Sequence, residues 1–415
     1  MKSNNYQQSL SYYFGLGLIL LLFVGTESFA QFRTIERAET MKKPVLYNGK
    51  AASSQGHYDG VIRIKMRPEA TAQLDRMLLE RASAKGEVIA RSSDTHVVTG
   101  MTQLDAVHQG CEAKVMKRVF RPAGKFEEKH RKHGLHLWYE VQYDDPRAIE
   151  QILRDYRGVA EVAIAEKVHE KAHVGYEVSG VYEAEEVLTD PPNDTFFDLN
   201  QYSFNNTGQN IQGQVGTVGA DVSMFEAWAI ETGSSDIVVA VTDGGIQVDH
   251  EDLVGNMWVN VDEIPGNGID DDNNGYVDDI NGYGFGDDTG SIPADIHGSH
   301  VGGTIAAETN NAIGVAGIAG GEGTDDGVRL MSLAAFGETG TMGFEDTYTY
   351  GADNGAVVSQ NSWGYTVAGA FDQVVLDGID YFIAEAGTDA LGNPFGPMQG
   401  GIVIFAAGND NADGQ

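Results

Sequence analysis

The chain has 415 residues, 27 basic and 61 acidic, for a formal charge of −34, with 41% hydrophobic residues, 53 glycines and one cysteine. That much apolar material excludes a disordered chain, and the lone Cys111 excludes a disulfide framework or a multi-cysteine zinc site. So few basic residues argue against a nucleic-acid binder, because phosphates are neutralised by Lys and Arg. The charge is also divided unevenly: residues 1–180 hold 26 basic and 22 acidic side chains, whereas residues 181–415 hold 39 acidic ones and a single basic one, Arg329. That division predicts two folding units, an attraction between them that salt weakens, and a need for cations in the acidic part.

In chain order, Met1–Ala30 places Lys2 before an apolar run, Phe14 to Gly25, and ends on the small residues Ser28-Phe29-Ala30. About a dozen apolar residues are too few for a bilayer, which takes ~20, so the segment reads as a signal peptide. The mature protein is expected to be secreted or extracytoplasmic, with no membrane span. Cys111 is expected to be a small buried hydrophobe.

Residues from about 57 to 170 predict a small two-layer α+β unit. His57–Met66 alternates like a strand and Ala72–Ala84 is spaced like a helix. Leu135–Tyr143 alternates again, Pro146–Arg157 is helical, and Gly158–Ala165 closes as a strand. Residues 171–190 are acidic and weakly patterned, and a linker is placed at 181–192, through Asp190-Pro191-Pro192. From about 193 onward, short apolar runs (Ile237–Val241, Val328–Leu333, Val357–Gln360, Ile402–Phe405) read as buried strands. Helical stretches (Ser299–Glu308, Phe344–Asn354, Phe371–Ala386) separate them. Alternating strands and helices predict an α/β fold, a parallel sheet covered by helices on both faces, with working residues beyond the carboxyl ends of the strands.

Three segments carry chemistry. Asp243 ends an apolar strand and precedes two glycines, where a carboxylate either meets a hydrogen-bonded partner or caps a turn. His297-Gly-Ser-His-Val-Gly-Gly-Thr puts an imidazole before a helix whose contact face is Gly302, Gly303, Ala306 and Ala307. His297 and His300 could instead bind a metal, though no third ligand stands at zincin spacing. Asn409 follows the strand Ile402–Phe405, as an amide donor for a developing oxyanion or as a turn residue.

Together these segments resemble the subtilisin-like serine proteases over about residues 193–415. The resemblance implies Asp243 and His297 as catalytic acid–base partners, Asn409 as oxyanion donor, and a structural role for His300. It also implies Ser362-Trp363-Gly364 as the strand that pairs with extended protein or peptide substrate. Gly244 departs from the family, which usually carries Ser or Thr after the Asp. The Gly-Thr-Ser-Met-Ala nucleophile motif does not occur in residues 1–415, so the expectation is a chain truncated before its serine and inactive as it stands. More weakly, residues from about 57 to 170 resemble the family's propeptide, which implies a propeptide region over 31–180. They imply a ferredoxin-like folding helper and inhibitor whose C-terminal end lies in the cleft until processing.

Hard oxygen ligands at spacing two, Asp270, Asp272 and Asn274, then Gly275 and the pair Asp278 and Asp279, suit Ca²⁺. A second calcium site is implied only by resemblance, on Asp252 and Asn311, with the carbonyls of Ile313 and Val315. Two other classes compete: a calcium-dependent binding protein on an inactive protease scaffold, and a zinc amidase using His250, His297 and His300.

Overall fold

A computed structural model describes residues 46–47, 50–81, 88–91, 96–173, 191–197, 201–211, 214–323, 326–337 and 343–408. The signal segment, most of the 181–192 linker and Asn409 lie outside these residues. In the N-terminal region, β1 (His57–Met66), α1 (Thr71–Arg81), β2 (Val88–Arg91), α2 (Thr102–Gly110) and β3 (Ala113–Arg118) come first. They are followed by α3 (Glu127–Lys132), β4 (Trp138–Tyr143), α4 (Ile149–Arg157) and β5 (Val162–His169). The five strands form an antiparallel sheet in the order β2-β3-β4-β1-β5.

The period-two alternation of β1 divides its side chains between two destinations. Ile62, Ile64 and Met66 join Leu74, Leu104, Met116, Val141, Ile152 and Leu153 in a core of their own. Cys111 belongs to it, 1% exposed, with its sulfur 3.5 Å from the Tyr156 hydroxyl. Each such side chain contributes about 1.5–3 kcal/mol on burial. Arg63 and Lys65 point the other way. They are not solvated: Arg63 is 2% exposed and bonds Glu345, and Lys65 bonds Asp377.

Those carboxylates belong to the second layer. β6 (Lys171–His173), α5 (Met224–Trp228), β7 (Val238–Asp243), β8 (Gly282–Gly284) and α6 (Ile296–Ala306) lead into β9 (Arg329–Ala334) and α7 (Phe344–Asp353). β10 (Val358–Asn361), β11 (Trp363–Tyr365), α8 (Gln373–Glu385) and β12 (Ile402–Phe405) complete it. A parallel five-stranded sheet runs β8-β9-β7-β10-β12. Val239, Val241 and Leu330 pack with Ala306 of α6 on one face, and Ala240, Met331 and Leu333 pack with residues of α7 and α8 on the other. The α/β expectation therefore holds. The apolar cluster on the α7/α8 side continues into Tyr58, Val61, Trp138 and Val168 of the N-terminal sheet, so residues 44–415 form one unit.

Several boundaries differ from the sequence expectation for local reasons. Leu135–Leu137 is a 3-10 turn, because Gly134 is left-handed (φ 71°) and its carbonyl accepts the Leu137 amide, so β4 starts at Trp138. α4 starts at Ile149, since Ala148 is extended (ψ 137°). His297 lies inside the first turn of α6 and does not precede it. Residues 171–173, expected in a weakly patterned stretch, form a strand. Among the described residues β12 lies at the end of the sheet, with Ile402, Ile404 and Phe405 50%, 51% and 44% exposed. Short runs outside the expected list also form elements, among them α2, β3 and α3. No helix among the described residues is long and apolar enough to cross a membrane.

His108 on α2 provides a stability test. It is fully buried against Tyr156; Nδ1 lies 3.2 Å from the Val97 carbonyl, and Nε2 has no hydrogen-bond partner. Burial pushes the imidazole down to about 4. The unfolded chain, at about 6.5, takes up the proton first, so stability falls as pH drops from about 6.5 to 4, by about 3 kcal/mol in all. Urea unfolding at pH 7 and pH 4.5 is expected to show this loss in the wild type and a smaller one in His108→Gln.

Candidate active site

β7 is apolar up to its last residue, and that residue, Asp243, has a fully buried side chain. A carboxylate in such a place is costly unless its lone pairs are used. Both oxygens lie 2.9 Å from His297 Nδ1, and Oδ1 also accepts the Gly244 amide at 2.7 Å. A carboxylate on Nδ1 selects the tautomer protonated there and leaves Nε2 as a base. The backbone holds this pair in place. Gly298 lies against the Gly245 carbonyl, where any Cβ would collide, and Gly302 lies against Ile246.

The departure at Gly244 has a structural reason. A Cβ there would lie 2.7 Å from Cγ of Asp295, whose carboxylate caps α6 by accepting the Gly298 amide at 2.9 Å. The space a larger side chain would fill at 244 is occupied by the cap of the helix that carries His297.

Ser362, Trp363 and Gly364 lie at and beyond the end of β10. Ser362 accepts a hydrogen bond from Gln360 Nε2 at 2.6 Å, and Trp363 is 2% exposed. Asn361, which the sequence did not single out, fixes this corner. Its Oδ1 accepts from Tyr348 Oη (2.9 Å) and Trp363 Nε1 (3.0 Å), while Nδ2 donates to the Ile404 carbonyl at 3.2 Å. Antiparallel to β11 runs β6, pairing Lys171 with Tyr365, Ala172 with Gly364 and His173 with Trp363. His173 thereby reaches the dyad: its Nδ1 is 3.4 Å from Asp243 Oδ1, and its ring stacks on Phe336 at 3.8 Å, with its centroid 4.8 Å from that of His297.

The acidic loop gathers differently from its sequence spacing. Asp270 and Asp272 converge with Glu263, which lay too far back in sequence to be singled out. Glu263 Oε1 accepts the Asp271 amide at 2.7 Å and Oε2 the Asp278 amide at 3.1 Å. Asn274 turns inward to Asp279 (2.9 Å), which is fully buried, bonds Tyr350 Oη at 2.6 Å and is pushed up by burial to about 7. Asp278 accepts the amides of Asn267 and Gly268. Lys125 of the N-terminal region lies 3.0 Å from Asp272. Elsewhere, Asp252 accepts from Asn311 Nδ2 and the Val315 amide, both at 2.9 Å, and burial raises it to about 6. Neighbouring Asp194, also missed in the sequence, leaves Oδ1 buried without a hydrogen-bond partner. Both oxygen-rich sets have the chemistry of hard-cation ligands. His250 instead accepts the Asp252 amide at 3.1 Å, and His300 lies on the exposed side of α6.

The Gly244–Asp295 contact predicts coupling. Gly244→Ser is expected to displace the cap and cost about 1 kcal/mol, and Asp295→Ala to cost a similar amount. The double variant should cost less than the sum, as read by urea unfolding; strict additivity would separate the two positions.

Residues 234–415 match the Subtilase family. The chain is 33% identical over 141 residues to the halolysin-like extracellular serine protease of Natrialba magadii, covering 33% of this chain and 22% of that protein. It is 29% identical over 230 residues to a thermophilic serine proteinase of Bacillus sp. strain AK1, covering 54% of this chain and 47% of that one. Among solved structures, a protease from Pseudoalteromonas arctica PAMC 21717 aligns over 53% of this chain and 60% of its own, at 26% identity and a TM-score of 0.35. The chain thus spans about half or less of these two curated relatives. Residues 234–415, a little under half of the chain, thus resemble the Subtilase family.

Proposed function

We propose that this chain is the precursor part of a secreted, calcium-stabilised serine endopeptidase that hydrolyses peptide bonds in proteins and peptides. The observation that carries the reading is the buried Asp243 carboxylate on His297 Nδ1, at the carboxyl end of the central strand. His297 Nε2 takes the proton from a serine hydroxyl as it attacks the scissile carbonyl, then returns it to the leaving amine. Asp243 stabilises the imidazolium formed between these steps. Asn409 and a backbone amide bind the oxyanion. Residues 1–415 contain no Gly-Thr-Ser segment, and we place the nucleophile in sequence C-terminal to them. An inactive binding protein would have no use for an Asp–His pair held in this way.

The N-terminal region acts as the inhibitory propeptide. β6 lies along β11 as an extended substrate would, and Glu166 caps α8 by accepting the Gln373 and Val374 amides at 2.9 and 3.2 Å. Calcium, when bound, supplies positive charge beside Glu263, Asp270, Asp252 and Asp194, which burial otherwise pushes toward protonation. Glu263, Asp270 and Asp272 would hold one ion; Asp252, Asn311 and Asp194 a second.

The protein made with its downstream sequence is expected to hydrolyse casein and to be inactivated by a serine-directed phosphonate. Asp243→Asn should lower kcat about 10⁴-fold, and residues 1–415 alone should hydrolyse nothing. Hydrolysis that survives the phosphonate would contradict the mechanism. Calcium at about a hundredfold its Kd should add about 2.7 kcal/mol per site to stability, and Glu263→Gln and Asp252→Asn should each remove one increment. A melting curve indifferent to calcium would contradict the metal assignment.

A further inference from the structure

Lys171 is an unusual residue to find buried in a cleft. It is 1% exposed, and its Nζ lies 2.5 Å from Oδ2 of Asp372, which is itself fully buried just before α8. Its ammonium sits 4.8 Å from the ring centre of Tyr365 and 5.5 Å from that of Phe344. The slot is therefore a carboxylate floor with aromatic walls, the combination that suits a long cationic side chain. Its floor is fixed from behind, since the Asp372 amide donates to the Tyr365 hydroxyl at 3.1 Å. Burial alone would raise the Asp372 carboxyl, but Lys171 and His169 outweigh it and hold it at about 2.

Other cross-layer pairs differ in place. Lys65–Asp377 and Lys132–Glu385 join parts of the N-terminal region that are not in the cleft strand, and Lys132 is 74% exposed. Lys171 lies on the strand paired with β11, two residues before His173, which stacks beside the catalytic histidine. Its slot is lined by Phe344, Tyr365 and Asp372, all from the enzyme side. When the propeptide leaves, both cations on Asp372 leave with it, and a buried or half-buried carboxylate then requires a new one.

We propose that Asp372 is the floor of a lysine-selecting subsite, so that the enzyme prefers substrates with a basic residue two positions upstream of the one that contacts His297. The preference rests on the proteolytic reading above. Taking the residue that follows His173 as the one whose carbonyl is attacked, the propeptide's own version of the preferred sequence is Lys171-Ala-His-Val174.

The test compares kcat/KM of the full-length processed enzyme on two fluorogenic peptides, Lys-Ala-His-Val and norleucine-Ala-His-Val, each with a leaving dye after Val. Norleucine keeps the length of the stem and removes the charge, leaving Asp372 unpaired. The lysine peptide is expected to be favoured about 100-fold, and Asp372→Asn should bring the ratio to within about threefold. Equal rates on the two peptides in the wild type would overturn the proposal while leaving the protease reading intact, and need no variant to fold. Hydrolysis of neither peptide by an enzyme that hydrolyses casein would overturn the subsite alone, and failure on casein as well would overturn both. A ratio unchanged in a folded Asp372→Asn protein would show that Asp372 does not read the charge.

Discussion

Buried charge on both sides of one interface is the constraint on which the rest of this structure depends. Arg63, 2% exposed, meets Glu345; Lys129 and His130 meet Asp353, 5% exposed; His169 and Lys171 meet Asp372. A buried ion pair gains little over an apolar contact, but separating its partners strands a desolvated charge, at a cost of about 3–5 kcal/mol. The uneven charge of the chain follows from this. Residues 181–415 carry only Arg329 as a cation, so the carboxylates of α7 and α8 find theirs in the N-terminal region. Because most of these pairs are buried, salt screens them less than it would a surface encounter.

The pairs also set geometry. They pin the N-terminal sheet over α7 and α8, and β5 runs out of that sheet directly into β6. With Glu166 on the first amides of α8 and Lys171 on Asp372, the strand has one register along β11. His173 then falls beside Asp243 and His297. Docking and strand register along β11 are thus one linked event. The apolar cluster shared by Trp138, Val168, Phe344 and Trp363 adds area to it without fixing the register.

Much of the site was legible because its chemistry is local in sequence. Asp243 ends an apolar strand, His297 opens a helix of small residues, and both motifs are contiguous. What the sequence hid was long-range. The alternation of β1 reads as an amphipathic strand with a wet face, yet Arg63 and Lys65 face carboxylates some three hundred residues away. Glu263 is brought to Asp270 and Asp272 by loop closure, not by spacing. Asn361 carries no motif, and only its burial beneath Tyr348 and Trp363 reveals it. Gly244 read as a departure from the family, whereas it makes room for the Asp295 cap.

The central claim is that β6 lies along β11 in a single register, Ala172 opposite Gly364. Cysteine pairing tests this most directly, since no atom lies within 4 Å of where a Cβ on Gly364 would sit, and Cys111 is 1% exposed. Under mild oxidation, Ala172→Cys with Gly364→Cys should form a disulfide in the folded chain. The two-residue slips, Ala172→Cys with Ser362→Cys or with Thr366→Cys, should not. Equal cross-linking in all three pairs would mean that the strand slides or lies elsewhere, and would contradict the account.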